Sequence, residues 1–112
     1  NLDIYSGNDD QVIPILSLGG IGVISVLSNV RPAAVHDMVM EYLNGNIKSA
    51  LDIQLKYLNL IEALFCEVNP IPVKAAMKLL GYDVGGLRLP LTELEDANRA
   101  RLKESMESLK EN

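Results

Sequence analysis

The amino-acid sequence predicts an α/β fold in which two strand–helix units precede a region that is mostly helical. Two short segments with strand-like apolar patterns, 1–6 and 22–26, are each followed by a segment with helical spacing. Glycine and proline lie at most of the boundaries between these segments. Only helical patterns recur after residue 46. Alternation of strands and helices is typical of proteins with a parallel sheet, and it sets the fold class.

The first predicted unit covers residues 1–18. Apolar and polar residues alternate at its start, which predicts a strand over 1–6. The sequence SGNDD at 6–10 is rich in turn-forming and helix-capping residues. A short helix is therefore predicted over 10–18, and the two glycines that follow it end the helix.

The second predicted unit covers residues 22–45. The run 22–26 is apolar apart from Ser25, a pattern that suits a parallel strand covered on both faces. After a connection at 28–31, Pro32 is a natural first residue for a helix that ends at Leu43. Two parallel strands cannot cover their own faces and edges. We therefore expect these units to be the last two of a barrel or open sheet whose other strands lie elsewhere.

The rest of the chain is predicted to be helical. A long periodic helix is expected over 46–68, and NPIP at 69–72 interrupts it. A short helix over 73–80 follows. Thr92 with Glu95 three residues later forms a capping-box pattern, which predicts a last helix that reaches about Lys110.

These patterns divide the chain into residues 1–45, with the strand–helix units, and residues 46–112, a helical domain. Asn1 is not a methionine, and the predicted strand 1–6 has no partner before it. A domain rarely opens on an unpaired strand. We therefore expect the chain to be the C-terminal piece of a longer protein.

Composition argues against several classes of partner. The net charge is -5, the ten Lys and Arg residues are scattered, and aromatic residues make up only 4% of the chain. This predicts neither a nucleic-acid surface nor a membrane surface. A single cysteine, Cys66, is expected to be a buried reduced thiol, and no signal peptide or membrane-length apolar run is visible, so a cytoplasmic protein is expected. No metal or cofactor is predicted, because His36 is expected to be exposed and no residues have metal-ligand spacing.

The glycine-rich stretch LGGIGV at 18–23 does not predict a phosphate site. A dinucleotide fingerprint needs its glycines after a strand and before a helix. Here Gly19 and Gly20 follow a predicted helix and precede a strand, and no Lys-Ser/Thr pair follows. The glycines are therefore interpreted as a helix end and, at Gly22, as close packing where the strand begins.

Candidate functional residues lie where the two predicted strands end. In a βα barrel, chemistry occurs at the C-terminal ends of the strands. Gly7 at the first of these ends allows a ligand to approach the backbone closely. Asn8 and Asp9 could be functional, although capping the next helix is expected for at least one of them. At the second end, the backbone carbonyl near Ile24 could face a ligand.

Four segments resemble the dihydrodipicolinate synthase family, in the same order and at matching spacing. They are SGND at 6–9, GGIGVISV at 19–26 with Asn29-Val30, NPIPVK at 69–74 and LRLPL at 87–91. The resemblance covers essentially the whole chain but only the C-terminal part of the family's usual length. It implies a (β/α)8 TIM barrel, here its last two βα units, with a C-terminal helical domain, in a homotetramer.

The resemblance also implies an activity: a lyase that condenses pyruvate with aspartate-4-semialdehyde in lysine (diaminopimelate) biosynthesis. A lysine forms a Schiff base with pyruvate, a tyrosine relays protons and an arginine holds the semialdehyde carboxylate. All three precede Asn1, so no catalytic residue is expected in this chain, which alone is expected to be inactive. Substrate-binding positions implied here are the backbone at Ile24, the pocket wall at Gly7 and Asn8, and Asn69 nearby.

Three alternatives stay open on the sequence. Lys74, in the first turn of a predicted helix, is the best nucleophile candidate within the chain, although a structural role is expected for it. Another class I pyruvate aldolase, similar to N-acetylneuraminate lyase, would share the barrel. A non-catalytic helical interaction module would suit the helical content, but it would leave two apolar strands exposed.

Overall fold

The computed structural model describes residues 1–110, which form two short strands and five helices. The strands and helices, in chain order, are β1 (Tyr5–Ser6), α1 (Val12–Ser17), β2 (Gly22–Val23), α2 (Pro32–Leu43), α3 (Ile47–Leu64), α4 (Ile71–Leu79) and α5 (Asp96–Glu107). Two short 3₁₀ turns, Asp9–Gln11 and Leu27–Asn29, precede α1 and α2. The chain forms two compact units, Asn1–Leu58 and a second that begins at Asn59. No helix within residues 1–110 is both long enough and apolar enough to cross a membrane.

The two strands pair in parallel, as the sequence predicts. Tyr5 lies opposite Gly22 and Ser6 opposite Val23. The backbone N–H of Ile24 extends the pairing by donating to the Ser6 carbonyl at 2.8 Å. Gly22 packs closely here, because a Cβ on it would lie only 3.0 Å from the ring of Tyr5. This confirms the close packing predicted where the second strand begins.

Both strands are much shorter than predicted, and the predictions of strand over 1–6 and 22–26 were wrong in extent. Within residues 1–110 each strand has a single neighbour, so the hydrogen-bond ladder stops where that neighbour turns away. Beyond Ile24, the N–H groups of Val26 and Leu27 bind the carboxylate of Asp9 instead of another strand. This side-chain contact turns the chain into the second 3₁₀ turn.

The first helix starts later than predicted. A 3₁₀ turn occupies Asp9–Gln11, and α1 begins only at Val12. Neither of these two segments has a side-chain cap. Apolar residues of α1 pack on α2 to form the core of the first unit: Val12, Leu16 and Met38 are buried, and Ile13, Val23, Val39, Tyr42 and Ile53 pack around them.

The predicted glycine end of α1 is confirmed. Gly19 has a φ of 95°, a left-handed value that favours glycine. Its N–H donates to Leu16, and the N–H of Gly20 donates to the Ile15 carbonyl at 2.9 Å. These two bonds form a Schellman motif, which satisfies carbonyls that the helix itself leaves unpaired.

We expect Gly20→Ala to destabilise the protein by about 2 kcal/mol, because overpacked sites typically lose this much. A Cβ on Gly20 would lie 2.5 Å from the side chain of Ile15 and 2.8 Å from its carbonyl oxygen, and backbone cannot yield easily. Urea unfolding measures the change. Gly7→Ala is the matched control, since its new methyl group would meet nothing within 4 Å. Equal stability of the two variants would contradict the prediction.

The second unit is built from the end of α3, from α4 and from α5, with α4 packed on α5. Its buried apolar side chains are Leu60, Ile61, Ala63, Leu64, Ile71, Ala75, Ala76, Leu94, Leu102 and Met106. The helix α4 begins at Ile71, two residues earlier than predicted, because Pro72 fits in a first helical turn. The peptide bonds before Pro70 and Pro90 are cis.

The predicted start of the last helix was wrong. Thr92 does not cap α5, which begins at Asp96 after Glu95 in the N-cap position. Glu95 makes no side-chain cap, and its own N–H donates to the carboxylate of Glu67 at 3.1 Å. The same carboxylate accepts a hydrogen bond from the Asn98 side chain at 2.8 Å. A distant acid thus organises this helix start, in place of the predicted local box.

Candidate functional site

The ends of β1 and β2 lie side by side because the strands are parallel. Ser6 is buried at the end of β1. Its hydroxyl donates to the Asn8 carbonyl at 2.7 Å and accepts the Asn8 N–H at 3.2 Å. These two bonds close the turn over Gly7 and hold the backbone of Asn8. The two strand ends thus form one small, ordered surface.

Gly7 and Asn8 are exposed on this surface. A Cβ on Gly7 would meet nothing within 4 Å, and its φ lies outside the left-handed region. Neither crowding nor backbone conformation within residues 1–110 therefore requires glycine there. Asn8 has extended backbone and makes no capping bond with its side chain. Both positions are open to a group from outside the chain's own packing.

Ile24 lies opposite them at the end of β2. Its N–H is held by the Ser6 carbonyl, and its side chain is 72% exposed. No donor within the part of the chain that the structure describes reaches its carbonyl oxygen. A fixed carbonyl with free acceptor capacity can receive a hydrogen bond from a ligand. The three residues Gly7, Asn8 and Ile24 that the sequence singled out in the first unit are thus brought together.

The helix cap expected from the side chain of Asn8 or Asp9 is not formed, and Asp9 makes other contacts. Its side chain is buried, with 1% relative exposure, and it does not cap the helix that follows it. The carboxylate instead accepts the N–H groups of Val26 and Leu27, each at 2.9 Å, and the hydroxyl of Ser25. Its partners lie 16 to 18 residues away, so no local pattern in the sequence signals this contact.

Two further contacts hold the same segment. Two hydrogen bonds join Ser28 to Ser25. The Ser28 N–H donates to the Ser25 hydroxyl, and the Ser28 hydroxyl donates to the Ser25 carbonyl, each at 2.9 Å. On the other side, the Gln54 side chain from α3 donates to the backbone carbonyl of Asp9 at 2.8 Å. The buried polar side chains Asp9 and Gln54 are therefore hydrogen-bonded, as burial requires.

Asn69 belongs to the second unit, where it is exposed and directly precedes the cis bond to Pro70. Lys74, on α4, donates from its ammonium group to the carbonyl of Gly86. This contact agrees with the structural role expected for Lys74. His36 is exposed, as predicted, with its ring 3.2 Å from the Asp37 carboxylate. Across residues 1–110, no three His, Cys, Asp or Glu side chains are grouped to hold a metal ion.

Cys66 is partly exposed, whereas the sequence predicted a buried thiol. Burial raises the pKa of its thiol, and the neighbouring Glu67 carboxylate raises it further, although Arg101 opposes them. A raised pKa lowers the fraction of thiolate, which is the nucleophilic form.

We expect Cys66 to react with Ellman's reagent at pH 8 more slowly than free glutathione, because less of it is thiolate. The rate should keep rising with pH beyond the point at which glutathione levels off. Glu67→Gln should speed the reaction by removing the carboxylate. A rate equal to that of glutathione, or a rate that Glu67→Gln lowers, would contradict this assignment.

The chain matches the sequence profile of the Dihydrodipicolinate synthetase family over residues 1–109. It belongs to this family. Among its relatives, the 4-hydroxy-tetrahydrodipicolinate synthase of Lachnoclostridium phytofermentans is 56% identical over 96% of this chain and 37% of the relative. That of Clostridium tetani is 60% identical over 94% of this chain and 36% of the relative. The family resemblance identified in the sequence is confirmed.

Solved structures of dihydrodipicolinate synthases are also similar to this chain. A dihydrodipicolinate synthase from Thermotoga maritima is 40% identical with a TM-score of 0.92, over 95% of this chain and 36% of that one. A chloride-inhibited dihydrodipicolinate synthase from Acinetobacter baumannii, complexed with pyruvate, is 36% identical with a TM-score of 0.85, over 95% of this chain and 36% of that one. This chain thus spans little more than a third of the length of these relatives.

Proposed function

We propose that this chain is the C-terminal part of a 4-hydroxy-tetrahydrodipicolinate synthase, which condenses pyruvate with aspartate-4-semialdehyde in lysine biosynthesis. The sequence identity of 56% to 60% across 94% to 96% of the chain carries the proposal. In this proposal the Schiff-base lysine, the proton-relaying tyrosine and the semialdehyde-binding arginine belong to the part of the enzyme before Asn1. The chain contributes binding and shape, and no catalytic group.

The proposed fold of the whole enzyme is a (β/α)8 barrel. Residues 1–45 supply its last two βα units, and residues 46–112 form the helical domain that follows. Apolar side chains beside the two short strands support this arrangement, because they are exposed in the chain by itself: Leu2 (83%), Ile4 (45%), Ile21 (40%) and Ile24 (72%). Neighbouring strands of a barrel would cover such side chains and continue the hydrogen-bond ladder.

The proposed substrate contacts follow from the strand ends. The carbonyl of Ile24, which has free acceptor capacity within residues 1–110, faces pyruvate. Gly7 and Asn8 form the pocket wall, where the absence of a side chain on Gly7 leaves room for the ligand. The pyruvate complex of the similar Acinetobacter baumannii protein supports pyruvate as the ligand.

A hybrid enzyme tests this proposal. This chain replaces the matching C-terminal segment of the Clostridium tetani synthase, to which it is 60% identical. We expect the hybrid to condense pyruvate with aspartate-4-semialdehyde and to give one reduced pyruvate adduct with borohydride. A folded hybrid that lacks both properties, beside an active parent, would contradict the proposal.

The 112-residue chain alone provides a second test of the proposed function. We expect no adduct after incubation with pyruvate and borohydride, since the proposed Schiff-base lysine is absent from it. An adduct on the isolated chain would overturn the assignment and would make Lys74 the first residue to replace. Sedimentation of the hybrid tests the proposed homotetramer in the same preparation.

A further inference from the structure

The buried carboxylate of Asp9 holds the segment that follows β2. Three donors from three successive residues, Ser25, Val26 and Leu27, converge on Asp9. A carboxylate that accepts backbone N–H groups forms charge-assisted hydrogen bonds, which are stronger than neutral ones. The contact joins the end of β1 directly to the residues that follow Ile24.

The backbone of Asp9 is itself fixed from the opposite side. The Gln54 side chain is buried, donates to the Asp9 carbonyl at 2.8 Å and accepts the Ile13 N–H at 3.4 Å. The backbone of Asp9 is therefore held by α3, independently of the segment that its carboxylate binds. It acts as a fixed anchor to which the segment after β2 is attached.

The peptide group that carries the Ile24 carbonyl lies between two fixed points. On its N-terminal side, the N–H of Ile24 donates to the Ser6 carbonyl at 2.8 Å. On its C-terminal side, the hydroxyl of Ser25 donates to Asp9. With both neighbours held, the direction of the Ile24 carbonyl is set by the protein and not by a ligand.

We propose that Asp9 is a positioning residue, whose buried carboxylate keeps the Ile24 carbonyl directed at pyruvate. This inference rests on the proposed function, in which that carbonyl contacts pyruvate. The role is separate from the chemistry, because Asp9 is buried and its carboxylate accepts three donors of its own chain. A preorganised acceptor lowers the cost of ordering the site when the ligand binds.

The hybrid enzyme carries the test, with Asp9→Ala, Asp9→Asn and Ser25→Ala compared with Asp10→Ala. Asp10 is the matched control, since it is the adjacent acid and is exposed. Small displacements of a positioning group lower activity on the order of ten- to a hundredfold. We therefore expect Asp9→Ala to raise the KM for pyruvate at least about tenfold and to leave the KM for the semialdehyde within about twofold.

The conservative variants separate positioning from folding. The amide oxygen introduced by Asp9→Asn can still accept the two backbone N–H groups. The pyruvate KM of this variant should therefore lie close to that of the hybrid with native Asp9. Ser25→Ala removes one of the three donors and should raise the same constant by a smaller factor. The pyruvate concentration that half-saturates borohydride trapping should rise in parallel, because it depends on pyruvate binding and not on the second substrate.

Three outcomes would overturn the proposal. One is a folded Asp9→Ala hybrid with a lower melting temperature but an unchanged pyruvate KM. Another is an equal effect of Asp10→Ala. If Asp9→Ala does not fold, an unchanged pyruvate KM in Ser25→Ala would contradict it. Failure of the proposed function itself is distinguishable, because the hybrid with native Asp9 would then be inactive.

Discussion

Gly7→Ala in the hybrid enzyme should lower kcat/KM for pyruvate at least tenfold while its melting temperature stays unchanged. Displacing a ligand by about the width of an added methyl group costs on the order of a hundredfold when the reacting geometry is tight. Within residues 1–110 the new methyl group would meet no atom within 4 Å, and the φ of Gly7 suits any residue. Packing within residues 1–110 does not require glycine at this position, so the prediction follows from the proposed approach of a ligand to Gly7.

Steady-state kinetics and thermal unfolding of the same preparation measure the two halves of this prediction. Gly86→Ala is the matched control, because Gly86 also has open space at its Cβ and an ordinary φ, but lies in the second unit. The control should keep both activity and stability. A Gly7→Ala enzyme with full activity would remove Gly7 from the proposed pocket wall. Loss of stability in step with activity would mean that Gly7 has a packing role in the whole enzyme.

Helices were the features best predicted from the sequence. The helix α2 has the predicted bounds, Pro32–Leu43, because a proline marks its start and Asn44-Gly45 its end. The glycine end of α1 was also predicted, since a left-handed residue is needed there and glycine adopts it without strain. Such signals lie within a few residues of the feature they define, so periodicity and capping rules are sufficient to find them.

Strand lengths and the start of α5 could not be predicted because their causes are distant in sequence. The strand after Gly22 stops where the Asp9 carboxylate takes the N–H groups of Val26 and Leu27. The start of α5 is organised by Glu67, which binds the Glu95 N–H across 28 residues. A capping pattern in the sequence cannot compete with an acid that tertiary structure places at the same position.

The sequence predicted only part of the candidate site, because the contacts of Asp9 join residues that are distant in the chain. The rule that chemistry occurs at the C-terminal ends of parallel strands indicated Gly7, Asn8, Asp9 and Ile24, and the family resemblance implied substrate contacts for Gly7, Asn8 and Ile24. The structure brings these three residues together at the paired strand ends. The sequence did not identify Asp9 as the anchor of that surface, since an acid in a turn before a helix ordinarily indicates a local cap. Burial and partner geometry distinguish the two roles, and neither is written in the local pattern.

Leu102→Ala should destabilise the second unit by about 3 kcal/mol, a typical cost for a leucine truncated in a packed core. Leu102 lies on α5 with 0% relative exposure, and α5 packs on α4, so the truncation leaves a cavity that rigid helices cannot close fully. The melting temperature of the hybrid should fall by several degrees. Amide exchange in α5 should accelerate more than exchange in α1, since the cavity lies in the second unit.

Leu89→Ala is the matched control for this prediction, because the same atoms are removed from a leucine of the same unit that is 89% exposed. Substitutions at exposed sites usually change stability by less than about 0.5 kcal/mol. A large effect of Leu89→Ala in the hybrid, but not in the isolated chain, would mean that the rest of the enzyme covers this residue. A negligible effect of Leu102→Ala in both would contradict the packing of α5 on α4, and with it the helical domain proposed for residues 46–112.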